Sequence, residues 1–370
     1  MNTVCIDLQA LRHNYQQLQD KIGSGRQLMA VVKADGYGHG MVEVAGVLQA
    51  TGAQCFGVGT VVEGKRLRLH GITGRIVVLL GGCGESIADL SEYELEPVVS
   101  NRVQLARLQE EATSGLAIHV KVDCGMGRLG FAIDEIVQVC TDIMSSSLVI
   151  AGIMSHFPVA DEDQTLTLAQ AHTFTEIVKD VRALGIQPLV HMANSAATLG
   201  NIAIHDMVRV GIALYGCFPA NPSASSPVVL QPVMTVKSTV LQVKSVPAGT
   251  GVSYGLTQQT KRDSVLAVVG IGYADGYPRM LSECGEMLIG GKRASIIGRV
   301  CMNMTVVDVT NLDTVKCGDE VIVLGKLGAD EISATDIADW AGTINYEILC
   351  TLGNLSPKVF LHKHLTPQTL

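Results

Sequence analysis

Several short apolar runs in the first 210 residues end in side chains capable of acid–base or anion chemistry. Met29–Val32 leads into Lys33 and then Ala-Asp-Gly-Tyr-Gly-His-Gly. Ala117–Val120 leads into Lys121-Val-Asp123 and through Cys-Gly-Met-Gly to Arg128. Val149–Met154 precedes Ser155-His156, Leu189–Met192 precedes Asn194-Ser195, and Met207–Val208 precedes Arg209-Val-Gly211-Ile212. Singly, each has an ordinary explanation. A strand-end lysine is usually solvated, a lone histidine usually sits satisfied in a core, and an arginine can cap a helix. Gly36, Gly125, Gly127 and Gly130 suit tight turns. Gathered on one rim, the same residues form an anion site, because backbone N–H groups at the element starts Asn194-Ser195 and Gly211-Ile212 bind phosphate well. A lysine beside a bound phosphate, with no carboxylate pair set for glycosidase work, points to Schiff-base chemistry. The histidines and cysteines show no ligand spacing such as H-x-x-x-H or C-x-x-C, so no metal centre is expected.

For these residues to meet, the runs must be neighbouring parallel strands. Strands are expected at Met29–Lys33, Cys55–Gly59, Arg75–Leu80, Pro97–Val99, Ala117–Asp123, Val149–His156, Leu189–Met192 and Met207–Val210. Between them the period is helical: Met41, Val44, Ala45 and Leu48 share one face, as do Phe174, Ile177, Val181 and Leu184. Apolar strands joined by helical crossovers make a parallel sheet covered by helices. Eight of them predict an α/β chain with a (β/α)8 barrel, whose site lies at the C-terminal strand ends; a doubly wound open sheet is the alternative. Asn221–Pro227 reads as a connection between domains. Beyond it helical periodicity nearly vanishes, and strands are expected at Val233–Val246, Val265–Gly272, Met287–Ile297, Met304–Thr310 and Glu320–Gly325. The expected division is a barrel over 8–226 and a mostly β C-terminal domain over 227–370, with residues 1–7 a candidate extra strand for the latter.

Composition narrows the function classes. Charged residues are 17% of the 370, hydrophobic ones 47%, and the net charge is −8 with the signs interspersed. Such a balance argues against nucleic acid as the main partner, because phosphate contacts need a basic face and only 4% aromatics are left for stacking. No apolar run reaches the roughly 18 residues of a membrane span, so no membrane contact is expected within these residues. The first 15 residues have no secretory character. Ten cysteines without a disulfide pattern suit a reducing, cytoplasmic setting.

The run Val31-Val32-Lys33-Ala34-Asp35-Gly36-Tyr37-Gly38-His39-Gly40 resembles the cofactor-lysine motif of the alanine racemases, pyridoxal-phosphate enzymes with a (β/α)8 barrel and a β-domain. Lys121–Gly130, Ser155-His156-Phe157, Ala193–Ala196 and Val208–Ile212 match that family in order. So do Val252–Gly255, Ile271–Gly276 and Arg299–Met302, so the resemblance covers essentially the whole chain. It implies pyridoxal 5′-phosphate as cofactor, a small amino acid as substrate, and a head-to-tail homodimer with shared active sites. Lys33 would be the Schiff-base lysine and one of two opposed bases; Tyr254, from the other subunit, would be the second. Tyr37, Asn194, Ser195, Gly211 and Ile212 would hold the cofactor, chiefly at its phosphate. Arg209 would face the pyridine nitrogen and His156 would pack beside the ring or orient Tyr254. Arg128 and the Met302 backbone would meet the substrate carboxylate, and Tyr273 would line the entrance. Lys121 aligns with a lysine that some members carbamylate. Arg209 would leave the pyridine nitrogen unprotonated, since adjacent cations disfavour one another.

Two positions depart from the family. Asn354 stands where a tyrosine usually bonds the cofactor phosphate and crowds the substrate side chain, and Asn303 where an Asp is usual. The shorter Asn354 leaves room for a hydroxymethyl group and can hydrogen-bond it. L-Serine is therefore expected as a substrate beside L-alanine. Asn354 also narrows the resemblance to the racemase domain of membrane-bound serine/alanine racemases of vancomycin-resistance clusters, which would make this a cytoplasmic domain supplying D-serine for peptidoglycan precursors. An ordinary alanine racemase and a non-catalytic pyridoxal-phosphate carrier are the alternatives; the Ser253-Tyr254-Gly255 match opposes the carrier.

Overall fold

A computed structural model describes residues 2–82, 84–219 and 228–363, without the side chain of Leu355. The connection expected at Asn221–Pro227 lies outside the described residues. The described chain forms two compact units.

The first unit takes in Leu11–Gly36 and Met41–Gln231. After the strand β1 (Thr3–Asp7) and the helix α1 (Leu8–Ile22), the eight expected strands all form: β2 (Gln27–Val31), β3 (Cys55–Val58), β4 (Arg75–Val78), β5 (Leu95–Val99), β6 (Ala117–Lys121), β7 (Val149–Met154), β8 (Leu189–His191) and β9 (Met207–Val210). They close into a parallel barrel through the pairing of β9 with β2, in which Arg209 lies opposite Met29. The connections carry α2 (Lys33–Tyr37), α3 (Met41–Ala50), α4 (Val61–Leu69), α5 (Ile87–Glu92), α6 (Arg102–Glu111), α7 (Ile136–Met144), α8 (Gln164–Ala183) and α9 (Ser195–Leu199). The α3 stripe Met41, Val44, Ala45 and Leu48 is buried, as is the α8 stripe up to Val181; Leu184 falls just past the helix end.

Side chains alternate along a strand, so a residue two positions from a core residue shares its face. Met29, Cys55, Val77, Val98, Met154 and Met207 form one buried cluster inside the barrel. By that alternation Arg75, Glu96, Gly152, His156 and Arg209 also point inward, and Lys33 lies on the inward row of β2. A largely polar set thus shares the barrel interior with its apolar layer.

The second unit is built on a nine-stranded sheet. Its strands after the barrel are β10 (Met234–Val246), the small pair β11 (Gly251–Val252) and β12 (Gln258–Gln259), then β13 (Ser264–Val269), β14 (Glu286–Ile289), β15 (Lys292–Ile296), β16 (Thr305–Asp308), β17 (Glu320–Leu327), β18 (Asp330–Ile332) and β19 (Lys358–Leu361). β1 joins this sheet between β10 and β19. Two expectations are corrected. Met287–Ile297 is a hairpin rather than one strand, because Gly290 and Gly291 both take positive φ (58° and 78°), as a tight two-residue turn requires. The unit also holds two helices that were not expected, α10 (Ala334–Ala341) and α11 (Asn345–Leu355). α10 is short but fully signalled: Ser333 and Asp336 form a capping box, and Gly342 ends the helix at φ 68°. Among the described residues no helix is long and apolar enough to cross a membrane.

Candidate active site

Lys33 follows β2 at the barrel mouth, half-buried. The four residues after it are left-handed: Ala34, Asp35, Gly36 and Tyr37 have φ of 54°, 53°, 65° and 54°. Non-glycine residues there cost roughly 1–2 kcal/mol each, so the turn persists only because its surroundings hold it. Glu63 is one such hold. Its carboxylate accepts from Ala34 N (2.8 Å) and Gly59 N (2.6 Å), while Glu63 N and Thr60 complete a capping box at the start of α4. Asp35 Oδ1 accepts from Met41 N at 3.1 Å.

Lys121, at the end of β6, is only 5% exposed. Burial and the neighbouring cations Arg128, Arg209 and Lys33 push its ammonium down to about 8, against a smaller opposing effect of Asp123. Arg128 is presented on a loop folded around Asp123, whose carboxylate accepts from the amides of Gly125, Met126, Gly127 and Arg128 at 2.8–3.2 Å. His156 is held well below the ordinary histidine range by burial and by Arg209, Arg128, Lys121 and Lys33. Lys33, Arg128 and Arg209 thus act through space on both Lys121 and His156.

Arg209 is 4% exposed, and no carboxylate touches it among the described residues. Its Nη1 donates to His191 O (2.9 Å) and His191 Nδ1 (3.2 Å); its Nη2 donates to Ser155 O (2.7 Å), Met192 O (3.1 Å) and His156 Nδ1 (2.9 Å). Burial pushes the guanidinium down to about 9. Among the described residues no acceptor meets the remaining N–H, at Nε, which suits a ligand carrying a lone pair. Asn194 caps α9 through Ala197 N and reaches Phe157 O, so its side chain positions Ser195. Ser195 Oγ in turn accepts from Gly211 N (3.1 Å) and Ala213 N (3.4 Å). The start of α9 therefore meets the 3₁₀ turn Ile212–Tyr215, and the first amides of such turns lack internal acceptors. The donor set fits a phosphorylated, nitrogen-bearing ring.

The second unit gathers its own group. Tyr37 belongs to it: the ring is buried, packs 6.2 Å from Tyr346 of α11, and has its phenol raised by burial and by Tyr346 and Cys350. A Cβ on Gly38 would lie 2.5 Å from Leu349 O, and one on Gly353 would collide with Gly38, so only glycines permit this packing. Asn354, the next residue, is exposed. Tyr254 is 72% exposed, yet its backbone is tightly held. Ser253 has φ 62° and donates from Oγ to Arg299 O at 2.6 Å, and Leu256 is again left-handed. Met302 O and Cys301 O accept from Ala274 N and Tyr273 N, which brings Met302 and Tyr273 together. Asn303 Nδ2 donates to Asp275 Oδ2 at 3.2 Å.

Residues 6–219 match the alanine racemase N-terminal domain and 233–360 its C-terminal domain. This chain belongs to the alanine racemase family. The alanine racemase of Halothermothrix orenii is 41% identical over 365 residues, covering 97% of this chain and 96% of that one. The crystal structure of the Streptomyces lavendulae alanine racemase superposes with a TM-score of 0.92 at 35% identity, over 98% of both chains. That from Bartonella henselae, described with covalently bound pyridoxal phosphate, gives 0.87 at 27%, over 97% of this chain and 99% of that one. The family's cofactor is pyridoxal phosphate and its reaction amino-acid racemisation.

Sequence reasoning missed three groups that hold the site. Glu63 was legible as the last residue of the helix-start pattern Thr60-x-x-Glu63. The role of Asp123 lies in four backbone amides, which no residue pattern announces. His191 and its neighbour His119 were legible from strand alternation once the inward face was known.

Proposed function

We propose that this protein interconverts L- and D-alanine using pyridoxal 5′-phosphate, as a homodimer whose sites are shared, and so supplies D-alanine of the kind cell-wall synthesis consumes. The observation that carries this reading is Arg209: a buried guanidinium held by neutral acceptors, with one N–H left over, on the strand that pairs with the one leading into Lys33. The cofactor, when bound, acidifies the substrate Cα–H by drawing off negative charge. Lys33 Nζ anchors it and exchanges a proton with one face of Cα. Tyr254 of the partner subunit exchanges a proton with the opposite face, which inverts the centre with no net change in atoms. Ser195 and the amides of Gly211 and Ile212, with Tyr37, hold the phosphate, and Arg209 donates to the ring nitrogen. Arg128 and the Met302 backbone take the substrate carboxylate, and Tyr273 lines the approach. Lys121 is the carbamylation candidate: its lowered affinity for protons exposes a nucleophilic amine, and the resulting anion would pair with Arg128. The described cysteines are free thiols, which suits a reducing compartment.

The serine preference and the resistance role expected from Asn354 draw no support from the relatives compared, which are named alanine racemases. L-Serine is kept as a second substrate, because Asn354 follows the glycine packed against the Tyr37 loop. The test is D-enantiomer formation from L-alanine and L-serine with added pyridoxal phosphate, in the wild type and in Asn354→Tyr. Alanine turnover is expected in both, with serine turnover falling at least tenfold in the variant. An unchanged serine-to-alanine ratio removes serine from the reading, and no D-alanine from the wild type removes the reading itself.

A further inference from the structure

Arg209 is the near end of a hydrogen-bond chain that crosses the barrel interior. His191 Nδ1 accepts from Arg209, and His191 Nε2 lies 2.9 Å from His119 Nδ1. His119 Nε2 lies 2.8 Å from Glu96 Oε2, and Glu96 Oε1 accepts from Arg75 Nε at 2.9 Å. The partners fix the direction of every bond. A carboxylate only accepts, so His119 carries its proton on Nε2 and offers a lone pair at Nδ1. His191 must donate into that lone pair from Nε2, which leaves its own Nδ1 to accept from Arg209. Neither ring can be charged without turning one of these bonds into a clash of two donors.

Three further observations fit. Burial works to raise the Glu96 carboxyl, but the bonds from His119 and Arg75 outweigh it and hold it below the ordinary range. Burial lowers both imidazoles. A Cβ on Gly152 would run into His119 Nδ1, so the neighbouring strand gives up a side chain to admit the ring, where the β6–β7 register also shifts.

We propose that Glu96 and His119 are positioning residues for Arg209: through His191 they orient the guanidinium and supply its counter-charge from a distance, leaving Nε–H free for the cofactor ring. A carboxylate in direct contact would compete for that N–H. This rests on the reading of Arg209 given under the proposed function. At metal sites, groups that act through an intervening histidine change activity by about 10–100-fold when removed, and an effect at the lower end of that range is expected for a chain that acts on a guanidinium.

The test uses Glu96→Leu, which removes the terminal acceptor, and Gly152→Ala, which displaces His119 without touching a charge. In the cofactor-free wild type, ring ¹⁵N spectra should show His119 and His191 neutral with the proton on Nε2. In both variants His191 should become a mixture of tautomers. In the holoenzymes kcat should fall about tenfold with KM within about twofold, and the visible absorption of the bound cofactor should shift. A variant that merely weakens the fold lowers the melting temperature and leaves the His191 signals unchanged. Protons on Nδ1 in the wild type, or wild-type kcat and His191 signals in both variants, overturn the proposal. If the rings behave as described but the wild type makes no D-alanine, the chain stands and the racemase reading falls.

Discussion

Lys121→Met is the perturbation whose size the structure sets best. The lysine is almost fully buried among Arg128, Arg209 and Lys33, and its ammonium is pushed from 10.5 down to about 8. That difference of roughly 2.5 in pKa corresponds to ~3 kcal/mol by which the folded chain disfavours the charge, at ~1.4 kcal/mol per tenfold change. The direction follows from which state holds the proton. Below about 8 both folded and unfolded chains are protonated and the full penalty applies. Between about 8 and 10.5 the unfolded chain keeps a proton that the folded chain has released, so stability rises with pH. Methionine removes this contribution. In CO2-free buffer, urea unfolding of the cofactor-free protein at one concentration should find the variant more stable by up to ~3 kcal/mol near pH 7 and by less than ~1 near pH 10. Bicarbonate should stabilise the wild type alone, because the amine adds CO2, releases a proton and becomes an anion among cations. A variant no more stable than wild type near pH 7, or an advantage that does not shrink with pH, refutes the electrostatic reasoning.

Three other outcomes are expected. Tyr254→Phe should lower kcat by roughly 10²–10⁴, the range for loss of a positioned acid–base group, while Cα–deuterium exchange continues from the enantiomer that Lys33 serves; kinetics near wild type would remove Tyr254 from the mechanism. Glu63→Ala deprives the left-handed turn of its acceptors and should cost ~1–3 kcal/mol in denaturant unfolding, with weaker cofactor binding by titration. Asp123→Ala frees the loop that presents Arg128, so KM for alanine should rise about tenfold with kcat nearly unchanged; an equal fall in kcat would mean that Arg128 acts mainly in the transition state.

The residues that stand at the barrel rim were legible because their chemistry and their elements repeat the same signal. Each β-branched run is a strand, each strand end is a rim position, and the charged residues stand at those ends. The helices α10 and α11 were obscured by their length, since eight and eleven residues hold little more than two or three turns of period. The hairpin at Gly290-Gly291 was read through as one strand although the glycine pair marks a turn.

Strand periodicity thus determined the barrel and which residues stand at its strand ends, since these need only neighbours along the chain, and the Lys33 motif carried the resemblance to the family. Tertiary structure alone decided the rest. That His119 touches His191, that Glu96 terminates their chain, and that Asp123 gathers four amides depend on residues that meet only when the barrel closes. The pull on Lys121 is likewise a sum over groups far apart in sequence and close in space. Electrostatic and hydrogen-bonding partners are set by distance through the folded core, and a linear pattern carries no record of that distance.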